Sequence, residues 1–205
     1  MTRRAITICY NDQRDAAWLF ERCYDSIERY AKRTGSDLLI KRIHGDMHYL
    51  DKYAMVKTAQ MQGYDRILQL DADIYIHTDE DIFEVAGDAR FAARRTERTD
   101  GDKAWFGGFK EDWTWNAGVL VSEPAILANF FDFADPHRAA CWGDEVILVP
   151  YLQYAQIDVL DLPRRFNLWA NWTYPALRGD DKGFFHFSGP NKQRRWNWFE
   201  KKYLA

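Results

Sequence analysis

Two aspartates, Asp71 and Asp73, are the residues of this sequence whose type and spacing best suit chemistry. They stand one residue apart, between the apolar run at 67–70 and a second apolar run at 74–76. Apolar runs this short, bounded by polar residues, predict buried strands of a parallel sheet. Ligands of open α/β sheets bind outside the carboxyl ends of the strands, and clustered carboxylates suit a hard divalent cation. The pattern therefore predicts a cation site at a strand end, a place typical of phosphate chemistry.

A β-α-β-α-β order in the first third of the chain would position this acidic pair. Hydrophobic periodicity predicts strands at 5–10, 37–43 and 67–70, and helices at 15–33 and 53–61. Strands that alternate with helices indicate a parallel sheet with helical crossovers. The order suggests a nucleotide-binding half of Rossmann type, and the predicted fold class is α/β.

The second half of the sequence is less regular. We predict strands at 118–121 and 156–160 and helices at 125–133 and 144–154. The segment 94–103 is charged and has no clear period, which favours a mobile loop. No linker or repeat divides the chain, so we expect a single domain over residues 1–205.

Composition narrows the classes of function. The net charge of -3 gives no indication of a nucleic-acid partner, and three widely spaced cysteines argue against a disulfide framework. No apolar run has the length of a signal peptide or a transmembrane helix, so we expect a soluble, cytoplasmic protein. We expect the basic segment 193–202 to be a solvated surface, with peripheral membrane contact as the alternative. Core packing explains most aromatics, and stacking on sugars is the alternative for a few: Trp113, Trp115, Trp169 and Trp172.

Three further segments combine residues that could act together with the acidic pair. The segment 116–118 places the amide of Asn116 before Gly118, a residue able to adopt unusual backbone angles at a strand entry. Asp144 and Glu145 stand at a predicted helix start, where the helix dipole favours acids and simple capping is an equal explanation. Near the C-terminus an imidazole, a glycine turn and an ammonium follow at regular spacing: His186, Gly189 and Lys192.

Taken together, these segments resemble the glycosyltransferases of the GT-A fold, particularly the glycogenin-like family 8 enzymes. The resemblance spans residues 5–192, and its pieces occur in the family's order: the first strand, Leu70-Asp-Ala-Asp73, Asn116-Ala-Gly118, Gly143-Asp-Glu145, Leu162-Pro-x-x-Phe-Asn167 and His186-x-x-Gly-x-x-Lys192. It implies a single GT-A (Rossmann-like) domain with a central, mostly parallel mixed sheet flanked by helices.

The resemblance also implies a cofactor and a donor substrate. Asp71, Asp73 and His186 would hold Mn²⁺ or Mg²⁺, bridging the phosphates of a UDP-sugar; a histidine ligand favours Mn²⁺. Three residues at the end of the first strand, Tyr10, Asn11 and Asp12, would lie beside the uridine, and others would contact the phosphates or the sugar. In full, the residues implied to contact the donor are Tyr10, Asn11, Asp12, Lys57, Asp71, Ala72, Asn116, Ala117, Asp144, Gly189 and Lys192.

The catalytic candidates are Asp144 and Glu145, and here the sequence departs from the family. Glu145 replaces a glutamine and could act as a general base on the acceptor hydroxyl or as a nucleophile, so retention and inversion both stay open. Met55 stands where family members often carry a basic residue. Lys52 or Lys57 could substitute for it, although a solvated helix lysine is an equal explanation.

Three functions are compatible with these residues. The first is transfer of a hexose from a UDP-sugar to a hydroxyl of a glycan, another saccharide or a protein-linked acceptor. The second is a haloacid-dehalogenase-like phosphatase, which also carries Asp-x-Asp after a strand. That family places the motif near the N-terminus and follows it with Thr or Val, where Tyr75 stands here. The third is a non-catalytic nucleotide-sugar-binding module, compatible with the changes at Glu145 and Cys141.

Overall fold

The computed structural model describes residues 2–12, 14–97, 113–140, 143–170, 181–189 and 191–204. Its strands are β1 (Arg4–Asn11), β2 (Ser36–Ile43), β3 (Arg66–Asp71), β4 (Ile74–His77), β5 (Phe91–Glu97), β6 (Trp113–Ser122), β7 (Leu160–Asp161), β8 (Leu168–Trp169) and β9 (Gly183–His186). Its α-helices are α1 (Arg14–Thr34), α2 (Ala54–Met61), α3 (Ile82–Ala86), α4 (Pro124–Ala134), α5 (Glu145–Tyr154) and α6 (Lys192–Phe199). Short 3₁₀ segments span Tyr49–Tyr53, Asp135–Ala140 and Arg164–Phe166, and a π-helical turn spans Glu200–Leu204.

Two sheets organise the described part of the chain. The larger has six strands in the order β2-β1-β3-β6-β5-β7. Strand β1 is parallel to β2 and β3, β6 is antiparallel to β3 and β5, and β7 is parallel to β5. The smaller sheet has the order β4-β9-β8, with β9 antiparallel to β4 and parallel to β8. The predicted α/β class with a mixed central sheet is confirmed.

Helices cover both faces of the larger sheet. Ile6 and Ile8 of β1 pack in one buried cluster with residues of α1, such as Leu19 and Ile27. Ala5 of the same strand belongs to a second cluster, which is built from α2, α4 and α5. Because successive side chains of a strand point to opposite faces, these two clusters lie on opposite sides of the sheet. The sheet is therefore buried on both faces, and its strand ends are the places left for a site.

The structure corrects two predicted segments of the second half. The predicted strand at 156–160 is wrong except at its end, because only Leu160 continues into β7. The amide of Ile157 instead bonds back to the carbonyl of Leu152 (2.9 Å), and Gln156 has a positive φ of 52°. The predicted loop at 94–103 is wrong for 94–97, which form part of β5 paired with β6. The rest of that loop lies outside the described residues, as do Cys141 and Trp172.

The basic segment 193–202 is also less solvated than expected. It forms most of α6 and part of the following turn, and it buries Trp196 and Phe199, whereas Arg194 and Lys201 are exposed. The ring of Tyr75 in β4 lies 5.7 Å from that of Trp196 and 5.1 Å from that of Phe199. One face of the segment therefore packs on the smaller sheet, and the solvated surface is only its other face.

Candidate active site

The acidic pair lies where the chain leaves the larger sheet and enters the smaller one. Strand β3 ends at Asp71, β4 begins at Ile74, and only Ala72 and Asp73 lie between them. In the smaller sheet Ile74 is paired with His186, the last residue of β9. This register brings an imidazole from far along the sequence to the two carboxylates.

Three potential ligand atoms converge at this point. The Nε2 atom of His186 lies 3.3 Å from Oδ1 of Asp73 and 3.5 Å from Oδ2 of Asp71. The other oxygen of each carboxylate is held by a lysine: Lys52 donates to Oδ1 of Asp71 (2.8 Å), and Lys192 donates to Oδ2 of Asp73. Atoms about 2.1 Å from one shared ion are themselves about 3 Å apart, so the three residues fit a divalent cation. Within the described ranges they form the one cluster of potential metal ligands.

Burial and charge act in opposite directions on these groups. Burial lowers the pKa of His186, but the carboxylates of Asp73 and Asp71 outweigh it and raise that pKa to about 9. Burial likewise favours the neutral form of Asp73, yet His186 and Lys192 hold its pKa well below the ordinary value. In the absence of a cation, a protonated imidazole therefore faces the carboxylates at neutral pH. A metal ion that binds here must displace the Nε2 proton.

A buried lysine links the acidic pair to the start of α5. Lys52 lies in the 3₁₀ segment before α2 and is 6% exposed. Its Nζ lies 2.8 Å from carboxylate oxygens of both Asp71 and Asp144, and it donates to the carbonyl of Ala117 (3.0 Å). These contacts use all three hydrogens of the ammonium group. Burial lowers the pKa of Lys52, but Asp144 and Asp71 more than compensate and raise it above its usual range.

Lys57, which the sequence suggested as a donor contact, lies elsewhere. Its ammonium pairs with the carboxylate of Asp132 and lies 4.9 Å from the ring centroid of Phe131, both on α4. The two lysines are five positions apart, which along a helical segment turns the side-chain direction by about 140°. Of the two lysines considered in place of the basic residue missing at Met55, Lys52 is therefore the one in the site.

Asp144 and Glu145 stand at the start of α5, but capping does not explain their side chains. The Asp144 carboxylate makes no capping bond and instead accepts from the hydroxyl of Tyr53 (2.6 Å). Oε1 of Glu145 accepts from the backbone amide of Ala117 (3.1 Å). Burial and the adjacent charge of Asp144 raise the pKa of Glu145 to about 7. A carboxyl group with this pKa can take up and release a proton near neutral pH.

Tyr10, Asn11 and Asp12 lie at the same edge of the sheet as the acidic pair. Cys9, the residue before them, is paired with Asp71 across β1 and β3. Tyr10 and Asn11 end the strand, and Asp12 follows it directly. The ring of Tyr10 stacks on that of Phe20 (4.2 Å between centroids), and Nδ2 of Asn11 donates to the carbonyl of Gly45 (2.6 Å). Oδ2 of Asp12 lies 2.5 Å from Nδ1 of His44 and 3.3 Å from the guanidinium of Arg42.

The two predicted phosphate contacts lie on one turn after β9. Gly189 has a φ of +85°, a conformation that favours glycine. The guanidinium of Arg195 packs against this turn and donates to the carbonyl of Ser188. Lys192 begins α6 and reaches back to Asp73. Two cations of α6 therefore contact the backbone of residues 187–188, and one of them, Arg195, had no signal in the sequence.

Asn116 and Ala117, predicted beside the donor sugar, already have protein partners. Oδ1 of Asn116 accepts from the amide of Gly118 (2.9 Å) and from the side chain of Asn167 (2.6 Å). The backbone of Ala117 is bound on both sides, by the buried lysine at its carbonyl and by Glu145 at its amide. The structure places both residues in the cluster, where they connect its parts.

Gly118 is needed for space and not for unusual backbone angles. It lies within β6, and it is absent from the described glycines that have a positive φ. A β carbon at this position would lie 2.4 Å from Cε1 and 2.9 Å from Nδ1 of His186. The expectation of a special conformation at a strand entry is wrong, because the glycine instead leaves room for the imidazole.

Besides Arg195, two residues of the cluster were missed in the sequence. Tyr53 is a fully buried aromatic among many, and nothing in its neighbourhood marks it as a partner of Asp144. Asn167 ends the Leu162-Pro-x-x-Phe-Asn167 segment, which formed part of the family resemblance without a role of its own. That segment was the available signal.

The protein belongs to the α/β class, and two carboxylates and an imidazole converge at the strand ends of its mixed sheet. Solved structures with a similar fold are glycosyltransferases. The chain is similar to a glycosyltransferase involved in the glycosylation of the major capsid of PBCV-1, with a TM-score of 0.69 and 16% identity over 96% of this chain and 99% of that one. It is also similar to the glycosyltransferase GlyE of Streptococcus pneumoniae TIGR4. The apo form gives a TM-score of 0.58 at 16% identity over 96% of this chain, and a second structure gives 0.56 at 17% over 98%. The chain has a glycosyltransferase fold.

These similarities concern the fold, because the identities are low. The chain spans 60% of the length of GlyE in both structures. No protein-family profile and no curated protein sequence matches the chain. Within the described residues, none of the helices is both long and apolar enough to cross a bilayer.

Proposed function

We propose that this chain is a metal-dependent glycosyltransferase related to family 8, which moves a hexose from a UDP-sugar to a hydroxyl of a glycan, saccharide or protein-linked acceptor. One observation carries the proposal: Asp71, Asp73 and His186 converge at the strand ends of a glycosyltransferase fold. Their atoms have the spacing and chemistry of ligands for Mn²⁺ or Mg²⁺, with Mn²⁺ favoured by the imidazole. When bound, such an ion would stabilise the negative charge that develops on the leaving nucleoside diphosphate.

The chain's own cations would assist at the phosphates. Lys192 and Arg195 both lie in α6: Lys192 pairs with Asp73, and Arg195 donates to the carbonyl of Ser188 next to Gly189. An ammonium and a guanidinium both form charge-assisted hydrogen bonds with phosphate oxygens. The residues at the end of β1 would lie beside the nucleoside, since they share the sheet edge with Asp71.

Glu145 is the better candidate for proton transfer at the acceptor. The Asp144 carboxylate is engaged by two neighbours, Lys52 and Tyr53, which fix its position. The pKa of Glu145 is raised to about 7 by burial and by Asp144. We therefore propose that Glu145 accepts the proton of the acceptor hydroxyl, with attack by its carboxylate on the anomeric carbon as the alternative. Two further candidates for contact with a sugar are Trp113 and Trp115, which precede Asn116 in β6. Their rings meet edge to face with 5.2 Å between the centroids, and either could stack on a sugar.

The phosphatase hypothesis has less support. The haloacid-dehalogenase family places the motif near the N-terminus and follows it with Thr or Val, whereas here the motif lies at 71–73 and Tyr75 follows it. In addition, the solved structures to which the chain is similar are glycosyltransferases and not phosphatases.

Donor turnover separates the three functions. We expect UDP release from at least one UDP-hexose with Mn²⁺, and none with EDTA. The controls are phosphate release from a generic phosphomonoester and UDP binding measured by calorimetry. Phosphate release without UDP release would support the phosphatase instead. UDP binding without turnover over a broad acceptor panel would support the non-catalytic module.

Substitution of Asp73 tests the metal site directly. We expect Asp73→Asn to abolish the Mn²⁺-dependent part of UDP binding, because the amide removes one charged ligand. Asp79→Asn is the matched control, since Asp79 is an exposed partner of Arg33 on the surface. Calorimetry with UDP and Mn²⁺ gives both affinities. Parental affinity in Asp73→Asn would remove this residue from the metal site.

A further inference from the structure

The segment that ends in Asn167 has no part in the roles proposed above, yet it is built tightly into the site. Leu162 and Phe166 are fully buried and anchor the 3₁₀ turn between them. A β carbon at Gly183 in β9 would lie 2.0 Å from the carbonyl of Arg165, so the turn lies directly on that strand. Asn167 then precedes β8, which runs parallel to β9. The packing fixes Asn167 beside His186.

Hydrogen bonds around Asn167 have only one consistent direction. The amide of Gly118 can only donate, so the side-chain atom of Asn116 that it meets at 2.9 Å is the oxygen. The atom of Asn167 that lies 2.6 Å from this oxygen must then be the nitrogen. The remaining atom of Asn167, its Oδ1, lies 3.1 Å from Nδ1 of His186 and must accept from it.

This direction determines which imidazole nitrogen is left for the carboxylates. Nδ1 carries a hydrogen that points to Asn167, so Nε2 is the atom that faces Asp71 and Asp73. Histidine ligands of metal ions commonly donate their second nitrogen to a polar group that orients the ring. We propose that Asn167, held in turn by Asn116, is a positioning residue that orients His186 for cation binding. The inference rests on the metal site of the proposed function.

The burial of Asn167 and its partners supports the proposal that Asn167 orients the imidazole. His186, Asn116 and Asn167 are 3%, 5% and 6% exposed, so water contributes little to their hydrogen bonds. Gly118 limits the ring from the side, because any β carbon there would meet Cε1 at 2.4 Å. The imidazole is confined by packing and oriented by one hydrogen bond. Loss of that bond should therefore weaken cation binding by His186 and leave the fold intact.

Calorimetric titration with Mn²⁺ alone, without nucleotide, tests the proposal. We expect Asn167→Leu, which keeps the volume but removes the acceptor, to raise the Mn²⁺ dissociation constant about 10–100-fold. Asn167→Asp keeps the acceptor and should retain most of the affinity, whatever it does to the melting temperature. Asn197→Leu on the exposed face of α6 is the control for loss of an asparagine. Parental affinity in Asn167→Leu, or equal losses in the Leu and Asp variants, would overturn the proposal.

A spectroscopic measurement on the parent protein covers the case in which Asn167→Leu does not fold. Long-range ¹⁵N–¹H correlation of the imidazoles with Mg²⁺ bound, assigned with His186→Gln, should show His186 protonated at Nδ1. Protonation at Nε2 instead would refute the orientation. If the parent protein binds no divalent cation, the proposed function fails and this inference with it. If the parent binds Mn²⁺ and the Asn167 variants do not differ from it, only this inference fails.

Discussion

Replacing Lys52 by methionine tests whether one buried ammonium holds the two acidic segments together. Its Nζ is 2.8 Å from carboxylate oxygens of Asp71 and Asp144, and its side chain is 7% exposed. Methionine has a similar length but donates no hydrogen bond, so both carboxylates lose a shared partner. Removing one member of a buried ion pair costs about 3–5 kcal/mol. Because Tyr53 still donates to Asp144, we expect a loss near the lower end, about 3 kcal/mol.

Lys57→Met is the matched control, five positions along the chain. Lys57 pairs with Asp132 on the surface, with side-chain exposures of 39% and 63%, and exposed pairs contribute about 0–1 kcal/mol. Urea unfolding at pH 7 with EDTA, followed by far-ultraviolet circular dichroism, gives the free energy of unfolding for the parent and both variants. The comparison separates loss of a buried charge from loss of a lysine.

The pH dependence gives this prediction a second check. Burial favours neutral Asp71, but Lys52 and His186 lower its pKa below the ordinary value. A lowered carboxylate pKa contributes stability that is present above the unfolded pKa, about 4, and is lost as the pH falls through the folded value. The effect of Lys52→Met should therefore be full at pH 7 and smaller below about pH 4. If Lys52→Met loses the same free energy of unfolding at pH 7 and below about pH 4, the loss comes from packing and not from charge. A loss no larger than that of Lys57→Met would refute the reasoning.

Two further substitutions test the space around His186 and the proton chemistry of Glu145. Gly118→Ala should cost about 1–3 kcal/mol in thermal unfolding and weaken Mn²⁺ binding in calorimetry, since its β carbon would collide with the imidazole; unchanged Mn²⁺ affinity would contradict this. Glu145→Gln should lower turnover more than donor affinity, and equal kinetics would remove Glu145 from the chemistry. The pKa of Glu145 is raised from 4.5 to about 7, so the parent protein loses stability as the pH rises through that window. The Gln variant has no such loss. Between about pH 4 and 8, its free energy of unfolding in urea should therefore rise relative to that of the parent by up to about 3 kcal/mol.

The sheet edge of the site could be predicted from local patterns. Parallel strands that alternate with helices place their carboxyl ends together, so Asp71 and the residues at the end of β1 were expected at one edge. The observed pairing of Cys9 with Asp71 agrees with this. Short apolar runs and their order carry this information, because each depends only on neighbouring residues. The same local reasoning failed at 156–159, where apolar residues follow the end of α5 without pairing in a strand.

The contacts that make the cluster specific depend on pairing between distant segments. His186 meets the acidic pair through the register of β4 and β9, and only the family resemblance connected them in the sequence. The choice between Lys52 and Lys57 depends on which way each side chain points from the turn before α2. Asn167 depends on a turn that lies against β9 because Gly183 leaves room for it. None of these arrangements has a local signature in the sequence.

The charges of the cluster explain why a cation and a diphosphate would belong together here. Three carboxylates, on Asp71, Asp73 and Asp144, face Lys52, Lys192 and the protonated His186, so the charged groups balance when Glu145 is neutral. One oxygen of Asp71 accepts from Lys52, and one oxygen of Asp73 accepts from Lys192. A divalent cation could therefore replace the proton on Nε2 of His186 without leaving a buried carboxylate unpaired. This exchange would add two positive charges and remove one, so the cluster would gain a single positive charge. A buried cluster with this excess would attract an anionic ligand, and the same gain would favour ionisation of Glu145.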